Sequence, residues 1–430
     1  MVHTSMRKHL INSLLKSIND DMVLLAVSMA MDVDYYSDDE SDEELNDIVS
    51  TLNQIEDKAH ALLSIQLHRY LNPQVPIEKA PHISDFLLHR LEDNRFKQEF
   101  RMRRDPFMKL CDLIRCNQVF QNNSNNSQRP VEEQMMVTLK RLGCFGNGAS
   151  VGMLARFFQI GEGTVELYTN RCIMAIIAIQ GQFLSWPNAE ARQELSDEYE
   201  DQGFKGCVGV IDGSLIIVQN RPKLDGPDYY TRKGLYGIST LLVCDNNKKI
   251  QYVSTGWPGC SHDQRLMANC GLNQSPSDFF SSGQYLLADS AFSITATTVP
   301  AFKRAKNKDL TKEQHEFNRH LSGVRVIIEN CIGLLKNRFQ SLKGLRLRLS
   351  NNKDLNRINA WIIACSVLHN YLIHNDTEDP DISDDPLQQG RLEAPDSEAD
   401  QFTSGTAAGI RKRNEVMVRA LAFRERGEDV

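Results

Sequence analysis

The chain has 430 residues, of which 41% are hydrophobic and 24% charged, and its formal net charge is −7. This length suffices for two domains and a substantial core. No apolar run reaches the roughly 18 residues of a membrane span, and the N-terminal segment lacks the uninterrupted apolar stretch of a signal peptide. The composition therefore excludes a membrane-spanning protein and predicts an intracellular one.

Ten cysteines are scattered along the chain, and no two of them form a CxxC pair. Several, such as Cys207 and Cys365, lie among apolar neighbours, as reduced core thiols do. The spacing therefore argues against a zinc finger and against a disulfide framework.

The net charge averages blocks of opposite sign. Residues 35–47 and 377–385 are acidic runs with too little apolar surface to fold, so we expect them to be solvated and disordered. Residues 301–350, in contrast, hold twelve Lys or Arg against four Asp or Glu, and residues 95–105 form a second basic cluster. Basic blocks on a folded segment indicate a polyanion partner, with solvated helical faces as the alternative.

Four regions follow from these patterns. Residues 1–80 contain helical pieces around an acidic, partly disordered linker, and residues 81–190 are all helical. Residues 200–375 change to short β-type runs followed by helices. Residues 376–430 form an acidic, largely disordered tail, in which 411–426 is the candidate for a terminal helix.

Part of the helical region has the outline of a helix-turn-helix. Residues 150–160 predict one short helix, and a second follows directly after Gly161. The alternative is an ordinary helical hairpin within a small bundle. On an exposed second helix, five side chains would be available to DNA: Thr164, Glu166, Tyr168, Thr169 and Arg171.

The strand signals lie between residues 207 and 292. CVGVIDGSLIIV (207–218) is rich in Val and Ile, as a buried strand is. Residues 238–256 predict two strands around the turn DNNKK, and YLLADSAF (285–292) is a short apolar strand. Antiparallel strands followed by strand–helix alternation predict an α/β fold, a mixed sheet with helices packed on it.

Three acids interrupt apolar patterns: Asp212 in VIDGS, Asp289 after YLLA, and Glu329 in RVIIENCIGLLKNRF. Each has a structural alternative. Asp212 with Gly213 resembles a hairpin turn, Asp289 before Ser290 resembles a helix cap, and Glu329 is one turn from Arg325.

A shared site is the other explanation for these acids. Two carboxylates about 4 Å apart repel by roughly 4 kcal/mol at an effective dielectric near 20, unless one is protonated or a cation binds. Mg²⁺ takes carboxylate, water and phosphate oxygens, and two such ions can hold the attacking and leaving oxygens of a phosphodiester. Acids within a basic segment thus predict metal ligands beside a phosphate-binding surface.

At these residues the chain resembles the Harbinger-type DDE transposases and the nuclease-like proteins derived from them. The matching pieces are VIDGS, YYTRKGLYGISTLLVCD, GWPGCSHDQR, LLADSAF and RVIIENCIGLLKNRF, in the family's order, over about residues 200–375. The helices of residues 130–180 also resemble the family's helix-turn-helix.

The resemblance implies a ribonuclease-H-like fold and a three-carboxylate site. By motif, Asp212, Asp289 and Glu329 are the catalytic acids and metal ligands, and Asp263 of SHDQR is a further metal ligand. His262 is a candidate to support the site. The implied cofactor is Mg²⁺, with Mn²⁺ as the alternative ion.

Charge indicates three phosphate contacts: Arg232, Lys233 and Lys336. The family also implies DNA as partner, a Myb-like DNA-binding accessory protein, a homodimer, and the nucleus, with the cytoplasm as a second compartment.

The leading interpretation is a metal-dependent DNA endonuclease and strand-transfer enzyme of a transposon. One alternative is a host protein descended from such a transposase and retained for binding DNA or protein without catalysis. A weaker one is an unrelated phosphohydrolase for small molecules, which would need neither basic blocks nor a helical region.

Overall fold

The computed structural model describes residues 6–31, 41–68, 83–122, 127–304, 309–375 and 405–428. The chain divides into two units, residues 1–80 and 81–430. None of the helices within the described ranges is long and apolar enough to cross a membrane.

The first unit is a pair of helices, α1 (Met6–Met31) and α2 (Ser41–Leu67), which pack against each other. The Arg7 guanidinium of α1 donates to the carbonyl oxygens of Ile65 and Gln66, each at 3.1 Å. Helix α2 begins inside the acidic run 35–47, so the expectation of disorder is wrong for 41–47. Residues 35–40 and the second acidic run, 377–385, lie outside the described residues.

The second unit begins with a set of helices around one aromatic-rich core. Phe96 contacts Phe100 and Phe107 with ring centroids 4.6 and 5.2 Å apart. The helices are α3 (Ile83–His89), α4 (Asp93–Phe100), α5 (Arg104–Ile114), α6 (Val131–Gly143), α7 (Val151–Phe158), α8 (Glu162–Ala178), α9 (Gln180–Phe183) and α10 (Ala189–Glu200).

A five-stranded sheet follows, in the order β3-β2-β1-β4-β5. Strands β1 to β3 are antiparallel neighbours, whereas β4 runs parallel to β1 and β5 parallel to β4. The predicted mixed sheet and the predicted β2–β3 hairpin are therefore confirmed. The bounds are β1 (Cys207–Ile217), β2 (Gly237–Cys244), β3 (Ile250–Pro258), β4 (Tyr285–Ala288) and β5 (Thr298–Pro300).

Short helices connect β3 to β4, and two long helices follow the sheet. The connection contains α11 (Asp263–Ala268), α12 (Gly271–Gln274) and α13 (Pro276–Phe279). After β5 come α14 (Lys312–Arg338) and α15 (Asn352–Asn375). Helix α14 begins at a capping box between Thr311 and Gln314, which satisfies two otherwise unpaired backbone N–H groups.

Both faces of the sheet are buried. Successive side chains of a strand point to opposite faces; thus Leu241 and Val243 join one apolar cluster and Leu242 and Cys244 the other. The cluster around Leu242 is continuous with the core of helices α3 to α8. The predicted regions 81–190 and 200–375 therefore share a core.

The C-terminal helix α16 (Ala407–Glu428) packs on α14 and β5 and buries Val416 and Ala420. This helix contains the candidate terminal helix 411–426, which is therefore confirmed within the otherwise acidic tail. Residues 376–404 lie outside the described residues.

The pair α7–α8 does not present the predicted DNA-facing set. Tyr168 and Thr169 are buried, and Glu166 forms ion pairs with Arg141 and Arg357. Helices α6 and α15 cover this side of α8. Exposure was therefore predicted wrongly for Tyr168 and Thr169, whereas Thr164, Glu166 and Arg171 are half-buried.

Candidate active site

Asp212 lies inside β1, directly opposite Leu242 of β2. The alternative of a hairpin turn at Asp212 is therefore wrong. Its side chain is 20% exposed, and Oδ1 accepts the N–H of Gly213 at 2.8 Å. Burial raises the pKa of Asp212 to about 7; Arg325 opposes this shift, while Asp263 and Asp289 add to it.

Asp289 directly follows β4 and is brought beside Asp212 by strand register. In the parallel pair, Val210 of β1 lies opposite Leu287 of β4. Each aspartate is two residues beyond one of these partners, so both stand at the same level of neighbouring strands. Asp289 Oδ1 accepts the N–H of Ser290 at 2.5 Å, and no helix begins there.

Glu329 enters from helix α14, which packs on β1, β2 and β4. Its side chain is 57% exposed. The helix buries Ile328 and Cys331 against the sheet, so the neighbouring Glu329 stands at the boundary between the packed face and solvent.

One guanidinium connects the three acids. Arg325 Nη2 lies 3.6 Å from Asp212 Oδ2 and 3.7 Å from Glu329 Oε1, and its Nη1 lies 3.8 Å from Asp289 Oδ1. Arg325 is 12% exposed, and its buried Nε has no hydrogen-bond partner. These distances exceed those of hydrogen bonds, so Arg325 balances charge without binding any one acid tightly.

Asp263 brings a fourth carboxylate to the cluster. It is the first residue of α11, and its carboxylate lies over Gly213, where any Cβ would overlap it. Glycine in VIDGS therefore leaves room for Asp263. Burial and the charge of Asp289 raise the pKa of Asp263, and His262 lowers it.

The predicted basic residues fall into two groups. Lys336 is mostly buried, and its Nζ donates to Leu215 O of β1 at 3.0 Å. Burial, followed by the charges of Lys233 and Lys343, lowers the pKa of Lys336 to about 8. Arg232 and Lys233 are exposed instead.

His262 is exposed and joins the site to the β1–β2 loop. Its Nε2 lies 3.4 Å from Arg232 Nη2. Because His262 directly precedes Asp263, this contact places the Arg232 guanidinium near the carboxylates.

Within the described ranges, no three His, Cys, Asp or Glu side chains are arranged closely enough to hold a metal ion as they stand. The donor set nevertheless fits one. The convergent side chains are carboxylates, the ligands that Mg²⁺ prefers. A cationic guanidinium among them shows that positive charge is favoured at this position.

The role of Arg325 was missed from the sequence. Its spacing of four residues from Glu329 indicated one helical ion pair. Nothing in that spacing pointed to Asp212 or Asp289, which reach Arg325 only through the sheet.

Comparison with known proteins identifies the class of this domain. Residues 211–370 match the DDE superfamily endonuclease family, and residues 84–178 match a domain of unknown function, DUF8040. The first match contains all four carboxylates described above. No solved structure matches the chain.

Curated relatives give the same result. Over 314 residues the chain is 26% identical to "Protein ALP1-like" of Arabidopsis thaliana, covering 68% of this chain and 74% of the relative. It is 24% identical over 300 residues to "Putative nuclease HARBI1" of Homo sapiens, covering 68% and 83%. Over 122 residues it is 30% identical to "Probable transposase for insertion sequence element IS702" of Microchaete diplosiphon, covering 27% and 42%.

The mixed sheet and the matched family together define a DDE-type nuclease domain. The resemblance seen in the motifs is confirmed: this domain is similar to the Harbinger-type DDE transposases and the nucleases derived from them.

Proposed function

We propose that this protein is a metal-dependent DNA endonuclease that cuts phosphodiester bonds by in-line attack and transfers the freed strand to target DNA. The observation that carries the proposal is the convergence of Asp212, Asp289 and Glu329 on Arg325. A ribonuclease-H-like fold is part of it, supported by three antiparallel strands continued by two parallel ones.

Asp212, Asp289 and Glu329 would hold the metal ions, with Asp263 as a further ligand. Divalent ions bound there, Mg²⁺ or Mn²⁺, would supply Lewis-acid stabilisation of the phosphodiester and activate water. The chain's own part is to hold the acids on rigid elements, two at adjacent strands and one on a long helix. Gly213 keeps Asp263 within reach, and Arg325 offsets the repulsion among the acids.

The first reaction is hydrolysis. Water attacks phosphorus, the bond from phosphorus to the 3′ oxygen breaks, and that oxygen takes a proton to become a 3′-hydroxyl. In strand transfer this hydroxyl attacks a phosphorus atom of target DNA and displaces another 3′ oxygen. The acids form no covalent intermediate in either step.

We further propose DNA as partner, a Myb-like DNA-binding accessory protein, and a homodimer that holds two DNA ends in the nucleus. Support for the DNA partner comes from the basic segment 301–350 and from exposed Arg232 and Lys233 near the acids.

The test is a supercoiled-plasmid nicking assay with Mg²⁺ or Mn²⁺. We expect the wild type to nick, Asp212→Asn to lose the activity, and Glu316→Gln to keep it, because Glu316 lies on α14 in an ordinary pair with Lys312. Nicking by Asp212→Asn at the wild-type rate would sink the assignment.

A second candidate is a binding protein without catalysis. It is favoured by one observation, the presence of Arg325 among the acids where a cation is needed. This candidate would be selected if the wild type bound DNA without nicking it, and if the same result were obtained with an accessory protein and with DNA that carries the ends of the transposon.

A further inference from the structure

The loop between β1 and β2 contains a short hairpin, residues 230–236, here called the tip. Tyr230 and Tyr236 form an antiparallel bridge. Thr231 donates its N–H to Leu235 O at 2.9 Å, and Gly234 donates its N–H to Thr231 O at 3.0 Å. Gly234 has φ +74, a value that favours glycine. The tip is therefore a defined turn.

The tip exposes both apolar and cationic groups. Tyr230 is 49% and Leu235 42% exposed, and Arg232 and Lys233 between them are exposed as well. The Tyr230 ring packs against Tyr236, with ring centroids 5.1 Å apart. An exposed aromatic ring beside cations is the combination that binds unpaired nucleotides, because the ring stacks on a base and the cations attract the backbone.

Contacts place the tip next to the carboxylates. Arg232 Nη2 lies 3.4 Å from His262 Nε2, and His262 immediately precedes Asp263. On the other side of the tip, the charge of Lys233 lowers the pKa of Lys336. The Lys336 ammonium is bound to Leu215 O, on the same strand as Asp212.

We propose that the tip binds an unpaired nucleotide beside the phosphodiester to be cut, with Tyr230 stacking on the base and Arg232 and Lys233 contacting phosphates. The inference rests on the proposed DNA endonuclease function and adds a substrate class to it. Because a base inside a duplex has no free face, the preferred substrate is DNA whose strands are separated at the cleavage point.

The experiment compares two labelled DNAs with the full-length protein in metal-free buffer, where no cleavage occurs. One is a fully paired duplex, and the other is the same duplex with a short unpaired flap containing 2-aminopurine. Binding is measured by fluorescence anisotropy, and stacking by quenching of the 2-aminopurine. The variants are Tyr230→Ala, Tyr230→Trp, and Phe86→Ala, which removes an exposed aromatic ring on α3.

We expect the wild type to prefer the flap. Tyr230→Ala should lose roughly tenfold in flap affinity, as expected for one base–aromatic stack, and keep its duplex affinity. Tyr230→Trp should retain both the preference and the quenching, and Phe86→Ala should behave as wild type.

The two ways to fail are distinguishable. Equal wild-type affinity for flap and duplex, or an unchanged preference in Tyr230→Ala, overturns the role of the tip and leaves the endonuclease proposal standing. Binding of neither DNA by the wild type overturns both.

Discussion

Two charge clusters of the second unit use the same chemistry in opposite proportions. In the helical region one acid, Glu166, lies between two guanidiniums, those of Arg141 and Arg357. On the sheet one guanidinium, that of Arg325, lies among three acids. We call these the Glu166 cluster and the Arg325 cluster.

The two clusters also differ in geometry and protonation. Arg141 Nη2 donates to Glu166 Oε1 at 2.5 Å, whereas the distances around Arg325 are 3.6–3.8 Å. Burial raises the pKa of Glu166, but the hydrogen bonds and charges of its two arginines prevail, so the pKa lies below its usual value. For Asp212 burial prevails over Arg325.

The comparison distinguishes ion pairs that stabilise the fold from a group of charges that can bind a further ion. The Glu166 cluster is satisfied and joins three helices, α6, α8 and α15. The Arg325 cluster leaves negative charge uncompensated and its cation loosely held, which is the condition expected where another cation binds.

The largest effects are expected when one acid of each cluster is replaced by glutamine, beginning with the Arg325 cluster. Glu329→Gln should lower cleavage by at least about 1000-fold, or about 4 kcal/mol of transition-state stabilisation, because a metal ligand is lost. Its unfolding midpoint should change little, since Glu329 is exposed. Initial nicking rates and urea unfolding check both parts; a stable variant with wild-type cleavage would contradict the assignment.

Glu166→Gln, in contrast, should lower the stability of the fold. Loss of the carboxylate leaves buried Arg141 without its ion pair, and we expect the free energy of unfolding to fall by about 3 kcal/mol, with or without divalent metal. Urea unfolding in EDTA and in Mg²⁺ measures this. A destabilisation that metal relieves would mean that the two clusters are not separate in function.

The third test uses pH. The folded-state pKa of Asp212, about 7, lies above its unfolded value near 3.9, so the folded protein holds the extra proton between these values. Without metal, this group should lower the free energy of unfolding by about 2 kcal/mol as pH rises from about 4 to about 7. Asp212→Asn should remove that fall. Urea unfolding of the wild type and of Asp212→Asn in EDTA isolates the contribution of Asp212, because Asp245, with a pKa of about 6, is present in both proteins. If the free energy of unfolding followed pH in parallel in the two proteins, the prediction would be refuted.

The smallest effect is expected for Arg325→Gln. Removing the resident cation should tighten Mn²⁺ binding about fivefold, or about 1 kcal/mol, and slightly lower the metal-free unfolding midpoint. Isothermal titration calorimetry measures the affinity, with Arg319→Gln, an exposed position on the same helix, as matched control. Unchanged or weaker Mn²⁺ binding would show that Arg325 does not compete with metal.

Local pattern was sufficient for strands β1 to β4 and for the position of two acids relative to them, whereas the short β5 was not predicted. Asp212 and Asp289 are polar residues within or directly after Val-, Ile- and Leu-rich runs, and both stand on or at the end of a strand. The β2–β3 hairpin follows in the same way from two apolar runs around DNNKK.

Long-range pairing could not be predicted. Arg325 meets the two aspartates because β1 and β4 are parallel neighbours, a property of the strand order rather than of any local stretch. Likewise, Glu166 looked available for DNA until Arg357, from a helix much later in the chain, proved to cover it.

The C-terminal helix has a consequence for how the polypeptide is made. Strand β5 is the sheet's edge on the side where α16 packs, and Lys412 and Arg413 lie over the rings of Tyr285 and Phe302, 5.0 and 3.8 Å from their centroids. All four carboxylates leave the ribosome well before α16 does. A nascent chain therefore possesses its whole set of acids while the edge of its sheet is still open to other strands. Premature termination after α15 would therefore yield a polypeptide in which α16 does not pack on β5, and which is prone to self-association through that sheet edge.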